Sequence, residues 1–208
     1  MMRLLRVDPR RPSESALRAA ADALKSGGIV VFPTETAYGL GCDAANRAAV
    51  KKIYAVKGRD SSKRLPLIVS SLAMARRRAR FGPMSAALAR RFWPGPLTLV
   101  LPAKGNKRDE LAMRVSSHPV ARALARRLGR PLISTSANRS GGETRYSIAG
   151  VLRDLGTMPD LVLDAGPLPR TKPSTIVRCA GELCQILRSG PISASDLRLR
   201  LSTADYRQ

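Results

Sequence analysis

Three short stretches of the chain gather residue types suited to binding anions. Lys57-Gly58-Arg59 places an ammonium and a guanidinium around a glycine turn, so a point charge and a planar fork can approach one anion from two directions. Taken alone, the tripeptide better fits a basic helix end that complements the helix dipole, and it gains weight as an anion site only in company. In STSANRSGG, Ser134, Ser136, Asn138 and Ser140 alternate, which on an extended backbone puts four short hydrogen-bonding side chains on one face. Phosphate oxygens or a nucleobase could use them, and a serine-rich turn before a helix is the other reading. The third stretch, IVVFPTETAYGLG, runs as a buried strand from Ile29 to Phe32 and then delivers Pro33, Thr34, Glu35, Thr36 and Tyr38 ahead of two glycines. Strand ends of this kind are where α/β folds bring polar loop residues over an apolar floor.

Other chemistries fit poorly. His118 is the single histidine and no G-x-S-x-G serine accompanies it, which argues against a hydrolase triad and for a solvated loop histidine. The phosphate-loop pattern G-x-x-x-x-G-K-[ST] is absent. Gly39-x-Gly41-x-x-Ala44 formally meets a permissive dinucleotide fingerprint, but Pro33 to Tyr38 intervene where a tight strand-to-helix turn is required, and Asp43 would oppose a pyrophosphate. These glycines are instead expected to let a second backbone pass close to a ligand. Cys42, Cys179 and Cys184 form no CxxC pair and, with one histidine, make no ordinary zinc site. They read as buried or incidental thiols; Cys42, beside the glycines, fits a small buried hydrophobe better than a nucleophile.

Charge dominates the composition: 37 Lys+Arg against 15 Asp+Glu gives a net +22, with 29 arginines and 8 lysines. A polyanion is the natural partner, although an arginine bias could also place solvated charge with no partner at all. The 208 residues, 44% apolar, suffice for one core, and a single domain is expected over 1–208, its core about 13–192 with short extensions at both ends. No apolar run approaches the ~20 residues needed to span a bilayer, and MMRLLRVDPRRPSES lacks the apolar region of a secretory signal. A cytoplasmic protein without membrane contact is the expectation.

The elements that must carry these stretches follow from period and punctuation. Ser13 caps a helix over ESALRAAADALKSGG, the strand IVVF follows, and Asn46 caps a helix over NRAAVKKIYAVKGR that ends at the K-G-R turn. LPLIVSS is a strand, SLAMARRRARFG and MSAALARRF are helices broken at Gly82-Pro83, and GPLTLVLPA and LAMRV are strands on either side of a polar loop. PVARALARRLG is a helix opened by Pro119, and RPLISTSAN a strand ending in hydroxyls. Helix SIAGVLRDLG precedes the strands LVLDAG, STIVRC and LCQILRSG and a last helix SASDLRLRL, with DAGPLPRTKPS a mobile loop. Alternation early and strands clustered late predict an α/β fold with a mixed sheet.

Taken in order, FPTETAYGLGCDA, YAVKGRDSSKRLPLIV, FWPGPLTLVLPA, MRVSSHP, PLISTSANRSG, PSTIV and ILRSGPI resemble the YrdC-like family of L-threonylcarbamoyladenylate synthases, over about residues 29–192. The resemblance implies a twisted α/β sheet, flanked by helices, around a deep basic cavity. It implies condensation of L-threonine, bicarbonate and ATP to threonylcarbamoyl-AMP and pyrophosphate, a product that a downstream threonylcarbamoyl-transferase complex moves to tRNA. It also implies site residues: Lys57, Arg59, Ser136 and Asn138 at the triphosphate, Arg188 and Thr144 near the nucleotide, and Thr34, Arg114, Ser134 and Ser174 around threonine. Mg²⁺ would be held through phosphate oxygens, with no metal ligand from the protein, and no residue stands out as a general base. Two positions depart from the family pattern: Asp60 stands where proline is common and Glu110 where threonine is, and a desolvated carboxylate at either would oppose the triphosphate.

Two other readings compete. A basic α/β domain could be a non-catalytic RNA-binding module, contacting tRNA through its charged surface, although only 4% of residues are aromatic and no base-stacking motif is present. A carbamoyl-transfer domain like those of hydrogenase-maturation proteins would share the adenylate chemistry, but belongs to much longer chains.

Overall fold

The computed structural model describes residues 2–197 apart from Lys107 and Glu182. With strands numbered in chain order, the described residues form two mixed sheets. The first runs β1 (Arg3–Arg6), β9 (Leu161–Asp164), β2 (Val30–Pro33), β3 (Tyr38–Gly41), β8 (Thr135–Ser136); β9 is parallel to both β1 and β2, and the remaining pairs are antiparallel. The second runs β11 (Leu183–Arg188), β10 (Thr175–Ala180), β5 (Leu97–Pro102), β6 (Glu110–Arg114), β4 (Leu67–Ile68), β7 (Leu132–Ile133), with β5/β10 and β4/β6 parallel.

The expected helices are present with the expected caps. Ser13 Oγ accepts from the amide of Ala16 at 3.3 Å at the start of α1 (Glu14–Lys25), a cap worth about 1 kcal/mol. Asn46 Oδ1 accepts from Ala49 at 3.0 Å at the start of α2 (Arg47–Lys57), which stops at Gly58 in the left-handed conformation, φ 56°. That glycine turns the chain directly after Lys57. One core packs α1 and α5 (Pro119–Leu128) through Leu17, Leu24, Val120 and Leu124 onto Val30, Phe32, Leu161 and Leu163. The other unites α2, α3 (Leu72–Arg78), α4 (Pro83–Phe92) and α6 (Ile148–Leu155), through Ile53, Met74, Leu88 and Val151, with Leu97, Leu99, Leu101 and Met113 of the second sheet.

Three local expectations change. RPLISTSAN is not one strand: β7 belongs to the second sheet and β8 to the first, so the chain crosses between sheets at Ser134. Arg3–Arg6 and Tyr38–Gly41 are strands that the pattern did not signal, the one because its exposed RLLR lacks alternation, the other because two glycines depress strand propensity. The loop expected to be mobile is anchored: Leu168 donates to the Tyr146 carbonyl at 2.8 Å, and Thr171 Oγ1 to that of Thr36 at 2.9 Å. The last helix begins at residue 194, and its continuation past 197 lies outside the described residues.

Candidate active site

A cavity of about 480 Å³ has its wall built from both sheets, within the usual range for a ligand site. Thr34, Lys57, Arg59, Arg114, Ser134, Ser136, Asn138, Thr144, Ser174 and Arg188 all line it, so residues from six separated segments converge. Arg64 adds a fifth cation, and no carboxylate lines the cavity among the described residues.

One end is built on the β2–β3 turn. Thr34 Oγ1 donates to the Ala37 carbonyl at 2.7 Å and accepts from the amides of Thr36 and Ala37 at 3.2 Å, so the hydroxyl shapes the turn it sits on. Arg114, at the end of β6, is buried; its Nη1 donates to Glu35 Oε1 at 2.8 Å, and no described group accepts from its Nε or Nη2. Half of a planar fork therefore remains for an anion in the cavity. Burial holds the Arg114 pKa below the ordinary arginine value, and the Glu35 charge opposes that shift. Arg188 on β11 donates from Nε and Nη2 to the Ser174 carbonyl at 3.0 and 2.8 Å, and Ser174 Oγ lies 2.9 Å from Thr98 Oγ1. Its pKa is lowered by burial and then by the Arg114 charge, so two guanidiniums press on one space.

At the other end Lys57 is buried, and its ammonium donates to the carbonyls of Ser136 and Asn138, both at 2.6 Å, with Asn138 Oδ1 at 3.3 Å. Ser136 Oγ donates to Asn138 Oδ1 at 2.6 Å, and Asn138 Nδ2 donates to the Gly142 carbonyl at 2.6 Å. Lysine and S-x-N loop thus form one braced unit. Burial, then the charge of Arg59, lowers the Lys57 pKa to about 8. Arg59 is half-buried, tied to the carbonyls of Lys63 and Arg64 at 3.2 and 3.3 Å. The four alternating side chains of STSANRS do line the cavity, but through the sheet crossing at Ser134 and a turn at Ser136–Asn138 rather than along an extended face.

The glycines divide in role. Gly39 lines the cavity, where a Cβ would sit 3.1 Å from Ser134 Oγ. Gly41 does not; a Cβ there would overlap the Ile133 carbonyl and stand 2.8 Å from Phe32, so this glycine serves strand packing instead of a ligand.

Some side chains sit otherwise than their sequence context implies. Cys179 and Cys184 are not free thiols: they face each other across β10 and β11 and form a disulfide. Cys42 is buried, as expected of a small hydrophobe, and burial raises its thiol pKa to about 12, which disfavours the thiolate that a nucleophile needs. His118 is half-buried and caps α5, its Nδ1 accepting from Val120 at 3.3 Å, so it is no solvated loop residue. Neither departing carboxylate lines the cavity. Asp60 is exposed and accepts from Ser62 at 2.9 Å, while Glu110 pairs with Arg178 at 3.1 Å.

Thr98, Thr171 and Arg64 also line the cavity, outside the three stretches that stand out in the sequence. Thr98 carried a signal: in LTLVLP, Leu97, Leu99 and Leu101 fill the core, so an alternating hydroxyl must face the other side.

Fold and cavity together define a two-sheet α/β protein with a cationic, hydroxyl-lined site for an anionic ligand. The chain belongs to the Sua5/YciO/YrdC family, whose model, described as "Telomere recombination", matches residues 22–190. It is 36% identical over 201 residues to threonylcarbamoyl-AMP synthase of Bacillus subtilis strain 168, covering 91% of this chain and 58% of that protein. It is 42% identical over 170 residues to the protein of the same name in Halorhodospira halophila, covering 76% and 87%. Among solved structures, P. abyssi Sua5 complexed with L-threonine matches with a TM-score of 0.85 at 33% identity, over 96% of this chain and 60% of that one. The chain therefore spans less than two thirds of the B. subtilis and P. abyssi proteins.

Proposed function

We propose that the chain is a threonylcarbamoyl-AMP synthase, condensing L-threonine, bicarbonate and ATP. The observation that carries this reading is one shared cavity, with half of the Arg114 fork open at one end and the braced Lys57/S-x-N unit beside Arg59 at the other. Curated relatives bear that name, and the P. abyssi relative was solved with L-threonine.

In this reading Arg114 takes the amino acid's carboxylate through Nε and Nη2, and the hydroxyls of Thr34, Ser134 and Ser174 orient the rest of threonine. The amine attacks the carbon of bicarbonate, and loss of water leaves a carbamate. A carbamate oxygen then attacks the α-phosphorus of ATP as the bond to the β-phosphate oxygen breaks and pyrophosphate departs. Lys57 and Arg59 supply fixed positive charge where the leaving group gains negative charge. Arg188, placed against Ser174 and near Arg114, serves the junction where carbamate meets α-phosphate. Among the described residues the lining offers cations and hydroxyls but no carboxylate, a donor set that would not hold Mg²⁺ by itself; Mg²⁺ would be held through the phosphate oxygens of ATP, where it would offset their charge. Catalysis rests on positioning and electrostatics.

Residues 1–208 act as one domain with its core over about 13–192, a reading supported by a cavity wall drawn from both sheets. No helix among the described residues is long and apolar enough to cross a membrane, which is compatible with a cytoplasmic enzyme handing its product to a threonylcarbamoyl-transferase complex and touching tRNA through its arginine-rich surface. Pyrophosphate release from ATP that requires both L-threonine and bicarbonate tests the assignment. Release that needs carbamoyl phosphate instead would point to the hydrogenase-maturation type of chemistry. Charge reversal at Lys57 and Arg59 should abolish turnover with RNA affinity barely changed; an RNA-binding module would lose affinity and have no turnover to lose.

A further inference from the structure

The carboxylate at Glu35 has no part in the reaction as drawn, yet it is the acidic partner of the arginine on which threonine recognition depends. It sits mid-turn between β2 and β3, in the first sheet, while Arg114 ends β6 in the second. Both side chains are largely buried, at 14% and 10% exposure. One carboxylate oxygen takes Nη1 of Arg114 at 2.8 Å, and the other accepts from the hydroxyl of fully buried Ser116. Ser116 Oγ in turn accepts the backbone amide of His118 at 3.2 Å, at the start of α5. From the other side, Thr171 Oγ1 donates to the carbonyls of Thr36 and Glu35, at 2.9 and 3.4 Å. The turn is thus fixed between two elements, and Glu35 itself does not line the cavity.

We infer that Glu35 is a positioning residue for the amino-acid carboxylate: it holds Arg114 by one nitrogen so that the remaining edge of the fork faces the cavity preorganised and without a competing internal anion. Two features separate this from a merely structural ion pair. The grip is on Nη1 alone, where a bidentate pair would consume the binding edge. Burial also disfavours the Arg114 charge, so an arginine deprived of Glu35 would be drawn toward solvent or another acceptor. Ser116 aims the carboxylate, acting at one further remove.

This inference rests on the threonine-binding reading above. Its test is the 208-residue chain with Glu35→Gln, titrated calorimetrically with L-threonine and, separately, with ATP, alongside steady-state kinetics and a melting curve. Expected are a rise in threonine Kd and KM of roughly tenfold to a hundredfold, an ATP Kd within about twofold of wild type, and partial rescue in Glu35→Asp. Ser116→Ala, which keeps the charge and removes the aiming hydrogen bond, should shift the same constant in the same direction by less, and it serves as the test if Glu35→Gln does not fold. Threonine affinity unchanged in both variants overturns the inference, as does an equal loss of ATP affinity, which would mark a structural role only. A wild-type chain that binds no L-threonine would overturn the functional reading as well, so the two failures are distinguishable.

Discussion

Lys57 Nζ lies 2.6 Å from the carbonyl oxygens of both Ser136 and Asn138, so the lysine of K-x-R and the S-x-N loop are one structural unit instead of two independent ligands. Lys57→Met should therefore act twice. It removes charge from the triphosphate end and leaves two carbonyls without their donor, each costing roughly 1–3 kcal/mol if no water replaces it. Unfolding free energy and ATP Kd measured on the same variant should both worsen, whereas Arg59→Met should weaken ATP binding with little change in stability.

The lowered pKa of Lys57, about 8, has a defined sign. Between that value and the ordinary 10.5, the unfolded chain binds the proton more fully than the folded one, so this group's contribution to stability becomes more favourable as pH rises. Below about 8 both states are protonated and the full burial cost is present. Denaturant unfolding at pH 8 and pH 10 should show wild type gaining on Lys57→Met across that window. Over the same range the neutralised amine should weaken ATP binding in wild type and leave the variant flat.

Arg114→Lys keeps the charge and loses the fork. A lysine held by Glu35 has no planar second edge to offer a carboxylate, so threonine KM should rise by roughly tenfold or more, with ATP KM nearly unchanged. Kinetics with each substrate varied separately check this.

Asp60→Ala should change ATP KM by less than about twofold and stability by no more than about 0.5 kcal/mol, because this carboxylate caps an exposed turn away from the cavity lining. A large drop in ATP KM would show that the charge reaches the triphosphate after all.

The disulfide joins residues five apart at the end of a hairpin, where loop-closure entropy is small, so Cys179→Ser/Cys184→Ser should cost about 2 kcal/mol. Arg188, farther along β11, keeps its own contacts to Ser174, and turnover should change little. Thiol titration of the denatured, unreduced chain should find one free cysteine, Cys42.

What could be read from the sequence was what is local. K-x-R at the end of a helix, the hydroxyl turn after the strand at Val30–Pro33 and the caps at Ser13 and Asn46 are properties of a few neighbouring residues, and each lies where its pattern placed it. The division of Leu132–Ser136 between two sheets was not legible, since period-two alternation fixes a face but not a partner strand. Glu35 stands out in the sequence only as the one acid of a polar turn, where a carboxylate ordinarily faces water; its burial depends on Arg114 and Ser116, about 80 positions away. Cys179 and Cys184 pair across a hairpin whose register no spacing rule specifies.

The central claim is that threonine and ATP meet in one cavity and are joined through bicarbonate carbon. Incubation with carbon-labelled bicarbonate should yield a labelled species that carries AMP only when L-threonine and ATP are both present. Label appearing in such a species without threonine, or no labelled adenylate with all three substrates supplied, would contradict it.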